Sequence, residues 1–104
     1  MAEKEHFVCL IRPTRAGFVD DPTPDEEQIM GEHFQYLKNA LEAGDLLMAG
    51  PCIAGADTFG LIVLRLESRE AAQAFVDADP SVRSGVQNAT LYPFRLSLWA
   101  GKKD

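Results

Sequence analysis

Basic residues are in short supply in this chain, where ten Lys and Arg face sixteen Asp and Glu and leave a net charge of −6 at pH 7. Such a balance repels phosphate backbones and anionic headgroups over about a Debye length, which argues against nucleic acid and membrane partners. Cysteine is nearly absent as well. Cys9 and Cys52 stand apart in the apolar contexts FVCLI and GPCIAG, without a C-x-x-C pair, and read as buried reduced thiols rather than a disulfide. Only two histidines occur, His6 and His33, far apart and outside any H-x-x-x-H or H-E-x-x-H pattern, so no metal-ligating motif is present. No apolar run approaches the ~20 residues that span a bilayer, and the opening MAEKEHF lacks the basic-then-apolar build of a signal peptide. The expected location is cytoplasmic. G-x-G-x-x-G, Walker A and G-x-S-x-G are all missing, so nucleotide binding and serine hydrolysis have no motif behind them and no cofactor is expected.

What is present is an ordinary globular composition, 46% apolar and 25% charged over 104 residues. Single cores commonly serve ~100–150 residues, so one domain spanning 1–104 is expected. Residues 6–12, HFVCLIR, alternate under a β-branched and aromatic bias and predict a first strand with Phe7, Cys9 and Ile11 on one face and Val8, Leu10 and Arg12 on the other. The loop PTRAGFVDDPTP that follows is long for so small a domain, and long loops in compact domains often carry function. Thr23-Pro24-Asp25-Glu26 then sets up a capping box, and Met30, His33, Phe34, Leu37 and Leu41 form an apolar stripe that Gly44 closes. DLLMAGP at 45–51 and TFGLIVLRLE at 58–67 predict paired strands. Ser68 caps a second helix with Ala71, Ala72, Phe75 and Val76 inward, ending near Asp79-Pro80. A short turn leads into NATLYPFRLSLW, a last strand with Tyr92, Phe94, Leu96 and Leu98 on one face, where Pro93 implies an edge or a bulge.

The order βαββαβ predicts an α+β fold of ferredoxin-like type, an antiparallel sheet with two helices on one face. Its other face would keep apolar residues in water, and pairing of two copies through that bare face into a homodimer is the economical solution.

Two residues carry the chemistry the sequence suggests. His33 stands on an apolar helix face, where imidazole is either a hydrogen-bonded core residue or a group placed to take and return a proton. Asp79, in DADP, is a natural N-cap for the turn that follows; one oxygen can cap while the other orients an imidazole N–H, if the fold brings the two helices together. Arg12 offers a positive charge to an anionic substrate or merely solvates a strand end. Gly50 and Pro51 shape either a pocket wall near ligand or an ordinary turn.

Together, FVCLIRPTR, GEHFQYLKNALEAGDLLMAGP, FGLIVL and FVDADPSVRSG followed by LYPFRLSL resemble the YCII-related (YciI-like) family over residues 6–98. That resemblance implies a ferredoxin-like fold in a dimeric α+β barrel-type assembly. It also implies a His-Asp pair at an active site, which falls on His33 and Asp79. The activity implied is a cofactor-independent lyase, of dehydrochlorinase type, or an isomerase, acting on a small aromatic or enolic compound. The alternative is a non-catalytic module that binds a small molecule as a dimer.

Overall fold

A computed structural model describes residues 3–101; Met1, Ala2 and 102–104, and with them part of the opening segment read for a leader, lie outside the described residues. The elements run β1 (Glu5–Pro13), α1 (Pro24–Ala43), β2 (Leu46–Cys52), β3 (Phe59–Leu66), α2 (Arg69–Asp77), α3 (Pro80–Arg83) and β4 (Gln87–Phe94). The strands form one sheet in the order β2-β3-β1-β4, with every neighbouring pair antiparallel. This is the α+β, ferredoxin-like arrangement expected from the element order.

Alternation along β1 decides where the core sits. Phe7, Cys9 and Ile11 all point to one face and are buried there against Ile62, Leu64 and Leu91. Leu37 and Ala40 of α1 and Ala72 and Val76 of α2 close over them. Val8 and Leu10, one residue out of phase, face the opposite side together with Val63 and Tyr92, their β3 and β4 neighbours. Pro93 sits in β4, an edge strand, where a residue that donates no N–H is tolerated.

Helix α1 is bounded as its sequence dictates. Thr23 accepts from the Glu26 N–H and Glu26 accepts from the Thr23 N–H, a complete capping box, with Pro24 in the first turn. At the other end Gly44 adopts φ 85°, the left-handed conformation that costs a β-carbon residue strain, and returns its N–H to Ala40 and Leu41.

The Glu26 cap is also an anchor for the long loop. Arg15 donates from Nε and Nη2 to the two carboxylate oxygens at 2.8 Å each, and Nη2 also donates to the Asp21 carbonyl at 2.7 Å. Hydrogen bonding from Arg15, then from the Thr23 backbone, holds the Glu26 carboxyl at about 2, below its ordinary 4.5. A carboxyl whose folded pKa lies below its unfolded one contributes stability above the unfolded value and loses it as pH falls through the folded value. The anchor is therefore expected to be intact above about 4.5 and released as pH drops toward 2. A Thr23 amide resonance that titrates across that window, and does not in Glu26→Gln, is the check.

Several details differ from the sequence expectation. Of the α1 stripe, His33 and Leu37 are buried, but Phe34 is 64% exposed and Leu41 49% exposed, while Ala40 is buried in their place. The inward face is narrower than the apolar stripe because the flank bearing Phe34 and Leu41 overhangs a cavity rather than the sheet. β4 stops at Phe94, so Leu96 and Leu98 are not strand residues, and Leu98 is 93% exposed. Phe94 pairs with His6, and β1 begins only one residue earlier, so further residues have no backbone to pair with. Of the two alternating faces of β4, the one bearing Leu91 is buried and the one bearing Tyr92 is half exposed. Both thiols are free, but Cys52 is only half-buried. Burial, reinforced by the charge of Asp79, pushes the Cys9 thiol up to about 11, so it behaves as a small apolar core residue.

Candidate active site

His33 occupies the second turn of α1 beyond the capping segment, and its ring lies between that helix and α3. Asp79 is the N-cap of α3, with extended backbone at φ −60°, ψ 127°, and Pro80 filling the first helical position. The residue is only 2% exposed. Nδ1 of His33 lies 2.7 Å from Oδ2 and 3.0 Å from Oδ1 of Asp79, so the structure brings together two residues separated by 46 positions. Oδ1 also accepts from the Ser81 N–H at 2.8 Å and the Ser81 hydroxyl at 2.9 Å. One oxygen thus caps the turn while the other faces the imidazole.

The consequence for the ring is a fixed tautomer. An ionised carboxylate only accepts, so Nδ1 carries the proton that donates to Asp79, and the neutral ring keeps its lone pair on Nε2. Nε2 has no hydrogen-bond partner among the described residues, and His33 forms part of the wall of a cavity of about 690 Å³. That volume falls in the range of small-molecule sites. A neighbouring anchor stiffens α1: the Tyr36 hydroxyl donates to the Phe75 carbonyl at 2.6 Å and its ring stacks on Phe75 at 4.8 Å. Burial, then the Asp79 charge, pushes the Tyr36 hydroxyl pKa up.

The cavity lies between α1, the β2–β3 hairpin and the long loop after β1. Phe18 and Val19 of that loop, Met30 and Leu37 of α1, and Leu47 and Ile62 supply apolar walls. Gly50 and Pro51 also line it, from β2. Arg12 does not. One residue out of phase with Ile11, it projects from the opposite sheet face, where its guanidinium lies 4.2 Å above the Phe59 ring. Phe59 itself lines the cavity, so Arg12 stands one residue removed from that wall. Four polar residues of the neighbourhood escaped sequence reasoning: Ser81, Lys38, Thr58 and Gln87. Ser81 had a signal, since a cap Asp bonds the N–H two residues on; Lys38, Thr58 and Gln87 became visible only once the cavity did.

The fold and site define a class: a ferredoxin-like α+β domain with a buried histidine–carboxylate pair at the wall of an apolar cavity. The chain belongs to the YCII-related domain family, whose model matches residues 6–95. The protein YciI of Escherichia coli O6:H1 is 39% identical over 72 residues, covering 61% of this chain and 74% of that protein, and YciI of Shigella flexneri matches to the same extent. Among solved structures, the 5-chloro-2-hydroxyhydroquinone dehydrochlorinase of Burkholderia phenoliruptrix AC1100, in complex with 2,5-dihydroxybenzoquinone, superposes with a TM-score of 0.64 at 18% identity, covering 86% of this chain and 93% of that one. An uncharacterised protein of Thermotoga maritima superposes with a TM-score of 0.57 at 14% identity, covering 89% and 100%. At such identities the likeness is one of fold. Among the described residues no helix is long and apolar enough to cross a membrane.

Proposed function

We propose that this chain is a small cofactor-independent enzyme, lyase- or isomerase-like, in which His33 moves a proton on a hydroxylated aromatic or enolic compound held in the apolar cavity. The observation that carries the reading is the imidazole bordering the cavity with Nδ1 held by a buried carboxylate. Nε2 takes a proton from the bound compound, and the imidazolium so formed is stabilised by Asp79, which also holds the ring in place. The same Nε2 then returns the proton to the product or its leaving group. Gly50 and Pro51 let the β2 backbone approach the compound closely. Fold likeness to a dehydrochlorinase supports the choice of a hydroxylated ring as the first compound to try.

The test is incubation with 1,2,4-trihydroxybenzene and its 5-chloro derivative in deuterated buffer. Chloride release, or deuterium entering a ring carbon faster than without protein, supports the proposal. A compound that binds and is recovered unchanged and unlabelled supports instead a module that holds a metabolite, the reading favoured by the cap that Asp79 already provides to α3.

The same reading makes the protein a homodimer. The sheet face away from the helices carries Val8, Leu10, Leu61 and Val63, flanked by Met48 and Tyr92, which are about half exposed. An apolar face of this kind is stabilised by pairing with a second copy. Leu10→Glu is expected to shift the sedimentation coefficient from that of a dimer to that of a monomer; a wild-type protein that sediments as a monomer would remove this part.

A further inference from the structure

We infer that Ser81 is a positioning residue whose hydroxyl keeps the protonated His33 ring an imidazolium, by holding Asp79 as a carboxylate that stabilises the ring without taking its Nδ1 proton. This deepens the proposal above, whose second step needs a ring acidic enough to give a proton back. Ser81 is the second residue of α3 and is fully buried, so bulk water does not compete for its hydroxyl. That hydroxyl touches both members of the pair. Its Oγ lies 2.9 Å from Oδ1 of Asp79 and 3.3 Å from Nδ1 of His33, and Nδ1 lies 3.0 Å from Oδ1, a closed triangle of polar atoms. Because Nδ1 carries a hydrogen directed at the carboxylate, the hydroxyl has Oδ1 as its acceptor.

Once Nε2 has gained a proton, the pair has two possible arrangements. In one, an imidazolium faces a carboxylate; in the other, the Nδ1 proton has crossed to Oδ2, 2.7 Å away, and a neutral ring faces a carboxylic acid. Burial favours the second, which carries no charge. Among the described residues no Lys or Arg pairs with Asp79, so hydrogen bonds must hold its charge. A hydrogen bond to an ionised acceptor is about twice as strong as one to a neutral acceptor, so the Ser81 hydroxyl, like the Ser81 N–H on the same oxygen, favours the first. The distinction matters for turnover. An imidazolium N–H gives up its proton near neutral pH, whereas the N–H of a neutral imidazole is far too weak an acid to do so. The other titratable groups that feel the Asp79 charge are the Cys9 thiol of β1 and the Tyr36 hydroxyl of α1. Burial, then that charge, raises both above their ordinary values, Cys9 to about 11, so they stay neutral while the ring titrates. Lys38, the other charged side chain of the cavity wall, keeps its charge in both arrangements.

Nitrogen-15 chemical shifts of the His33 ring, followed as pH falls through its titration, decide between the arrangements, with His33→Asn separating its signals from those of His6. Wild-type protein is expected to pass from a ring protonated at Nδ1 alone to one with both nitrogens at imidazolium positions. Ser81→Ala keeps the backbone N–H that caps α3 and is expected to shift the acid form roughly five- to tenfold toward the neutral pair, moving Nδ1 away from the imidazolium position toward that of a bare nitrogen. Ser81→Cys, whose thiol is a weaker donor, is expected to fall between the two, and it carries the test if the alanine variant does not fold. A role in capping or packing alone lowers the melting temperature without moving that resonance. If Nδ1 of the acid form stands at the same position in wild type and variants, or moves the other way, or if neither variant folds, Ser81 is a structural residue and the inference is overturned while the reading of His33 stands. A wild-type ring that is protonated at Nε2 and bare at Nδ1 at high pH removes that reading as well.

Discussion

Turnover of any hydroxylated compound that the wild-type protein consumes is expected to fall about 100- to 10,000-fold in His33→Asn, with the melting temperature little changed. The magnitude is what a positioned proton-transfer group contributes. Asparagine is the informative substitute because its side-chain amide nitrogen lies near the place of Nδ1 and can still donate to Asp79, while the atom corresponding to Nε2 is gone. His33→Ala removes both and leaves the buried carboxylate with the Ser81 donors alone. It is therefore expected to lose stability as well as activity. Initial rates and thermal unfolding on the two variants, side by side, decide the matter. A His33→Asn protein that stays folded and turns over at the wild-type rate would end the case for His33 as catalyst.

The second large effect falls on Asp79. Its carboxylate joins the Nδ1 proton of His33, the backbone of Ser81 and the Ser81 hydroxyl within one buried cluster. Asp79→Ala removes an N-cap, worth about 1 kcal/mol, and leaves a buried imidazole N–H and a buried hydroxyl without their acceptor, at about 1–3 kcal/mol for each group left unsatisfied. A loss of roughly 3–7 kcal/mol is expected, which in a domain of this size lowers the melting temperature by about 10 °C or more. Asp79→Asn isolates the chemical role from the structural one. Its amide nitrogen can only donate, so when it faces Nδ1 the ring must carry its proton on Nε2, and the Nε2 lone pair needed as base is lost. Asp79→Asn is thus expected to lose much less stability than Asp79→Ala yet nearly as much activity as His33→Asn. Equal stability and activity losses in the two Asp79 variants would reduce the pair to a structural clamp.

The parts of the site that were legible beforehand are those written in local chemistry. The capping box at Thr23 and Glu26 and the glycine stop at Gly44 depend on residues three to four apart, so spacing alone reveals them. Alternation puts Phe7, Cys9 and Ile11 in the core and Arg12 out of phase with them, but it does not show that Ile11 and not Arg12 lines the cavity. The α1 stripe was read too wide, since an apolar flank facing a cavity has the same pattern as one packed on a sheet; Phe34 and Leu41 are of the first kind. Gln87 gave no signal, because a lone glutamine at the start of a strand is unremarkable until the register shows that it points inward.

Local order, the succession of strands and helices and the identity of the two chemically versatile side chains follow from the chain itself, because caps, periodicity and turn residues act over a few positions. Tertiary structure alone decided that His33 and Asp79 meet at 2.7 Å, that a cavity of about 690 Å³ opens beside them, and that Gln87 shares it. Those facts depend on how far α1 stands from the sheet and on where α3 docks against it. Both are set by the packing of residues distant in sequence, and no short-range pattern encodes that sum.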